Sequence, residues 1–209
     1  MSINYTYEEI NTWNWYFDKG IGDTFLKLLD DKNLYEKVDL LENSKEMVEK
    51  LSKMCNNIYI VTSTLVLSAF DSKVNFIKNN FPSLEKHTIN IGDKSLLNYN
   101  NAILLDDGPH NVEKVVKSNE NGYAILLDKP YNQHVISNNR ITRIKNFDNI
   151  EKVIEKAILD NLERHIIKQG EIYLEDLPTS FRKCIDNNVM LQNTKEKKQK
   201  DKNKEDILR

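Results

Sequence analysis

Ala102-Ile-Leu-Leu-Asp-Asp-Gly-Pro-His110 decides the fold. An apolar run stops at two carboxylates, a glycine and a proline able to open a helix. The pattern predicts a buried parallel strand that delivers Asp106 and Asp107 to the carboxyl edge of a sheet, where open α/β folds hold their ligands. Adjacent carboxylates at such an edge suit Mg²⁺, a hard cation that takes oxygen ligands and keeps waters and a substrate phosphate. The plainer reading is a strand-to-helix turn in which Asp107 caps the next helix.

Four more short strands are expected around this one. They are Asn57-Ile-Tyr-Ile-Val-Thr62, Thr88-Ile-Asn-Ile91, Gly122-Tyr-Ala-Ile-Leu-Leu127 and Ile141–Ile144. Ser44–Met54 repeats apolar residues at Met47, Val48, Leu51 and Met54, a helical period. Leu65–Asn79, Pro109–Lys117 and Phe147–Ile167 also read as helices, the third of these four opened by a favourable early proline. Strands alternating with helices predict a parallel α/β sheet with helices on both faces. Between Tyr7 and about Leu41 the aromatics Trp13, Trp15, Tyr16, Phe17, Phe25 and Tyr35 are irregularly spaced, which predicts short helices. The expected domains are a helical cap-like region over 1–42, an α/β core over 43–168 and a charged extension over 169–209. Within the extension, Glu171–Leu177 reads as a short strand or helix and Asn193–Arg209 as a solvated, disordered tail.

The chain has 209 residues and a formal net charge of −2, so no global field recruits nucleic acid or an anionic membrane surface. The N-terminal Met1–Glu9 is polar and acidic, unlike a signal peptide, and no apolar stretch is long enough to span a bilayer. Cys55 and Cys184 match no metal or disulfide spacing. A cytoplasmic protein is expected, acting on a small molecule, with no nucleic-acid or membrane partner.

Three polar signals stand where successive strands should end. Thr62-Ser63-Thr64 offers hydroxyls and backbone N–H groups that either cradle a phosphate or cap a helix. Lys94, in Gly92-Asp-Lys-Ser95, is a phosphate-neutralising cation or an ordinary solvated loop charge. Asp106-Asp107 is the third. His110, beside the acids, is either close to a ligand or, on the plainer reading, a helix-surface residue. Gly20-Ile-Gly22 lacks the third glycine of a dinucleotide fingerprint and follows no strand.

Hydroxyl, lysine and paired acids in that order resemble the later motifs of the haloacid-dehalogenase superfamily. The closer resemblance is to its 5′(3′)-deoxyribonucleotidase family, the cytosolic type C 5′-nucleotidases. Ile10-Asn-Thr-Trp13, Leu34–Leu41, Ile58–Thr64, Asp93-Lys-Ser95, Leu104–Pro109, Tyr123–Asn132, Arg143 and Asn146-Phe147 all look like that family. The resemblance covers roughly residues 6–155. It implies a Rossmann-like parallel sheet with a small helical cap, and Mg²⁺-dependent hydrolysis of nucleoside monophosphates through an aspartyl-phosphate. Thr62 would then hydrogen-bond the phosphoryl oxygens, with Ser63 close to the substrate. Lys94 would neutralise phosphate charge, Asp106 and Asp107 would hold Mg²⁺, and Trp13 would stack on the nucleobase unless it is simply core packing.

Two departures qualify what the resemblance implies. Gly92 stands where some relatives carry a basic residue, so substrate preference does not transfer. The family's first motif, an apolar strand ending in Asp-x-Asp-Gly with the nucleophile and the acid/base, has no match in residues 1–209. Its strand would lie upstream of Met1 and, in the family fold, between the strands ending at Thr62 and Asp106. The expectation is an incomplete sheet and little or no phosphatase activity. Alternatively, the two strands close up or Glu171–Leu177 fills the space. A non-catalytic phosphate- or nucleotide-binding module, and a remnant that folds poorly, are the competing readings.

Overall fold

The computed structural model describes residues 5–29, 31, 33–55, 57–63, 69–100 and 102–169, the side chains of 162–169 excepted. The expected strands are present and somewhat shorter: β1 (Ile60–Thr62), β2 (Thr88–Asn90), β3 (Ile103–Asp106), β4 (Tyr123–Leu127) and β5 (Ile141–Ile144). The helices are α1 (Trp15–Asp18), α2 (Gly22–Leu29), α3 (Ser44–Met54), α4 (Phe70–Asn80), α5 (Pro109–Ser118) and α6 (Ile150–Gln169). The first half of the helix expected over 65–79 lies outside the described residues, as do Thr64, Glu171–Leu177 and the charged tail. Backbone contacts divide the chain into two compact units, Met1–Val153 and Ile154–Arg209. In the second unit the described part is the continuation of α6.

All strand pairs are parallel, as α/β alternation requires. They form two sheets, β1-β2 and β3-β4-β5, rather than one. Among the described residues the strands ending at Thr62 and Asp106 are not paired with each other, so these two have not closed up. The architecture is α/β, with parallel strands in two small sheets and helices between them.

β4 is buried along its whole length, which accounts for its unbroken Tyr123-Ala-Ile-Leu-Leu127 run. Val112, Val115 and Val116 of α5 pack on one face of the three-stranded sheet against Leu104, Ala124, Leu126 and Ile141, with Tyr99 and Val135 closing the cluster. Pro109 occupies the first turn of α5, where its missing N–H costs nothing. The N-terminal region forms short helices held by aromatic contacts. Tyr16 stacks on Phe25 at 4.3 Å, and Trp15 meets Phe25 edge-on at 5.8 Å. A helical turn at Leu34–Glu36 anchors this region to the start of α4, where Tyr35 N–H donates to Ser72 Oγ at 3.2 Å.

The turn from α5 into β4 depends on close approach. A Cβ on Gly122 would lie 2.9 Å from both the Val115 carbonyl oxygen and the Asn119 Cβ. Asn119 is itself fixed there, accepting from Tyr99 N–H and donating to Val115 O. Gly122→Ala is therefore expected to destabilise the protein by about 1–3 kcal/mol, the range for overpacking. The loss will be read as a lower urea midpoint at unchanged slope.

Candidate active site

Asp106 ends β3 with its side chain 5% exposed, and a carboxylate so buried needs several partners. Lys94 Nζ lies 2.5 Å from Oδ2, its own side chain only 14% exposed. Gly108 N–H donates to Oδ1 at 2.7 Å, and Asn111 Nδ2 reaches both oxygens at 3.2 and 3.3 Å. The absence of a side chain at Gly108 permits this approach, since a Cβ there would sit 3.0 Å from Asp106 Oδ1. Lys94 is thus no solvated loop charge. Its turn is set by Asp93, whose carboxylate accepts from Ser95 N–H and Oγ and pairs with Lys114 at 3.0 Å. Ser95, then Lys114, hold the Asp93 carboxyl down at about 2.

Asp107 does not cap α5. The N-cap residue is Gly108, and the Asp107 carboxylate instead accepts a hydrogen bond from the Tyr131 hydroxyl at Oδ2. Tyr131 belongs to the helical turn Pro130–Asn132 after β4. Asn132, fully buried, donates to Asp107 O at 2.9 Å and Leu127 O at 2.8 Å. Its carbonyl oxygen accepts from Lys129 N–H and Arg143 Nη1. Arg143 also pairs with Asp128 at 2.6 Å and donates to Asn132 O and Val135 O. Every polar atom of Asn132 is used, and its bond to Asp107 O locks the β4 loop onto the β3 loop.

Thr62 closes β1, its carbonyl accepting Ile91 N–H at 2.9 Å, and Ser63 follows. Ser63 O accepts from Lys73 Nζ at 2.9 Å. Lys73 rises from α4 over the Tyr35 ring, 4.9 Å from its centroid. Burial, and next the positive charge of Lys94, bring the Lys73 ammonium down to about 8. The end of β1 at Ser63 therefore carries a second cation that sequence reasoning missed. Thr62 is tied to this group through its chain neighbour Ser63.

Ser63 and Asp107 share the wall of a cavity of about 400 Å³ with Trp13, Trp15, Tyr16, Phe25, Tyr35 and Tyr131. Trp13 is 39% exposed, so it is not core packing. Its ring lies 4.7 Å from that of His110 and 5.4 Å from that of Tyr131. His110 accordingly faces Trp13 instead of solvent, and burial lowers its pKa. The bland readings of Lys94 and His110 fail for one reason, contacts from a distant part of the chain: Asp106 takes the Lys94 ammonium and the Trp13 ring meets His110.

Two buried polar atoms near Asp106 have no hydrogen-bond partner among the described residues, Tyr99 Oη and His110 Nδ1, and both groups feel the Asp106 charge. No third His, Cys, Asp or Glu joins Asp106 and Asp107 in a cluster among the described residues. The donor set is then two hard carboxylates, one already holding an ammonium. It fits a cation that takes one or two carboxylates and completes its shell with water and phosphate, as Mg²⁺ does.

Tyr131, Asn132 and Lys73 carried no role in the sequence. Tyr131 and Asn132 lay inside a stretch with family resemblance, the only signal available for them. The family model described as 5′ nucleotidase, deoxy (Pyrimidine), cytosolic type C protein matches residues 2–160. Among curated proteins none matches the chain. No helix of the described residues is long and apolar enough to cross a membrane.

The Lys73 environment has a measurable consequence. The folded protein releases this proton near pH 8, whereas the unfolded chain holds it to about 10.5. Between these values the unfolded state binds more protons, so this group makes stability rise with pH. Relative to Lys73→Met, wild type should gain stability from about pH 8 to 10.5 in parallel urea titrations.

Proposed function

Because this chain belongs to the cytosolic type C 5′-nucleotidase family, we propose that its β1 and β3 ends form a site for a nucleoside monophosphate. The phosphate is received by Thr62, Ser63 and Lys94, with Lys73 adding a second ammonium. Trp13 stacks on the base in the aromatic cavity, and residues 1–42 act as the cap over it. Asp106 and Asp107 hold Mg²⁺. The observation supporting this most directly is the cavity whose single wall joins Trp13 to Ser63 and Asp107.

The chemistry of phosphoryl transfer is positioning and charge neutralisation around three equatorial oxygens. When bound, Mg²⁺ neutralises phosphoryl charge as a Lewis acid. Lys94, which pairs with Asp106, would add a second positive charge for the phosphoryl oxygens. Hydrolysis through an aspartyl-phosphate also needs an attacking carboxylate. Residues 1–209 contain no Asp-x-Asp-Gly sequence. The proposal is therefore nucleotide binding with little turnover by this polypeptide, which is how a non-catalytic binding module of the same ancestry would behave too.

Titration of the purified protein with dUMP or dTMP in the presence of Mg²⁺ should give saturable binding. Lys94→Gln, which keeps a hydrogen-bond donor for Asp106 but loses the charge, should weaken it about tenfold or more, as expected for a lost charge-assisted contact. Phosphate release should stay near background. Rates well above background, abolished by Asp106→Asn, would establish turnover and overturn the inactive reading. An absence of nucleotide and phosphate binding would sink the site.

A further inference from the structure

Two cavities meet at one pair of side chains. The aromatic cavity described above and a second, of about 450 Å³, lined by Tyr7, Leu41, Leu105, Leu127, Lys129 and Phe147, have only Asp107 and Tyr131 in common. The shared wall is the hydrogen bond from Tyr131 Oη to Asp107 Oδ2. Oδ1 of Asp107 takes no hydrogen bond among the described residues, so the phenol selects which oxygen remains available.

The hydroxyl is held in place from both sides. Its ring packs edge-on against Trp13 at 5.4 Å. Its chain neighbour Asn132 grips the Asp107 main-chain carbonyl at 2.9 Å, and Arg143 secures Asn132 through two hydrogen bonds of 2.7 and 2.9 Å. Backbone and carboxylate of Asp107 are thus fixed by adjacent residues of one turn. Asp106 is arranged independently, by Lys94, Gly108 and Asn111.

Resting on the metal-site reading above, we infer that Tyr131 is a positioning residue. Its hydroxyl orients the Asp107 carboxylate so that one oxygen faces a divalent cation shared with Asp106. Outer partners of this kind typically contribute 10–100-fold to metal affinity.

The test uses the full chain and Mn²⁺ as a spectroscopic probe, with free Mn²⁺ counted by electron paramagnetic resonance and no nucleotide present. Tyr131→Phe keeps the ring against Trp13 and removes only the hydroxyl. Its Mn²⁺ affinity should fall roughly 10–100-fold, with the metal-free melting temperature close to wild type. Wild-type affinity in Tyr131→Phe, alongside loss of binding in Asp107→Asn, would overturn the inference and leave the metal site standing. A fall in affinity that merely tracks a lowered melting temperature would also overturn it, as that is a structural role. No Mn²⁺ binding by the wild type, or equal binding by wild type, Asp106→Asn and Asp107→Asn, would overturn inference and metal site together.

Discussion

A carboxylate buried at the end of β3 needs compensation, and the way Asp106 obtains it organises the molecule. Its cation, Lys94, comes from the turn after β2, in a sheet that shares no backbone hydrogen bonds with β3. Its remaining donors, Gly108 and Asn111, come from the start of α5. One ion pair therefore joins two sheets that the backbone leaves separate. Both partners are largely withdrawn from water, so removing either leaves an uncompensated buried charge, a loss of about 3–5 kcal/mol in comparable cases. Exposed pairs such as Lys53–Glu49 carry little by comparison.

The second fixed point is Asn132. A fully buried amide with all its donors and acceptors used is costly to disturb and holds one geometry. It binds the loop after β4 to the loop after β3, and Arg143 on β5 completes the tie. The three-stranded sheet thereby delivers Asp107 and Tyr131 as a rigid unit. The aromatic lining meets this unit through Trp13, while Tyr35, on the wall of the same cavity, is hydrogen-bonded through its N–H to Ser72 next to Lys73. Polar strand ends and apolar cavity are consequently one construction.

How much of this was legible is best judged residue by residue. Asp106 at the end of a buried strand was readable, because an apolar run stopped by acids, glycine and proline has few other solutions. Lys94 was readable only by its order relative to Thr62 and the acids; alone, a loop lysine is a surface charge. Asp107 looked like a helix cap, since local chemistry favours an acid there, but the phenol of Tyr131, distant in sequence, offers its carboxylate a buried donor. His110 looked like a surface residue because no local pattern announces Trp13. Lys73 had no pattern at all and Tyr131 only its place in a family-like stretch, their partners Ser63 and Asp107 lying 10 and 24 positions away.

Hydrophobic period and turn chemistry are short-range properties, and they determined by themselves the five strands, most of the helices, the parallel topology and the acidic end of β3. That residues 1–209 contain no Asp-x-Asp-Gly was likewise plain from the residues alone. Tertiary structure decided the rest: the separation into two sheets, the pairing of Lys94 with Asp106, the capture of Asp107 by Tyr131 and the lowered pKa of Lys73. These depend on burial and on which charges meet after folding. Desolvation makes each such partnership strong, and desolvation does not exist until the chain has packed.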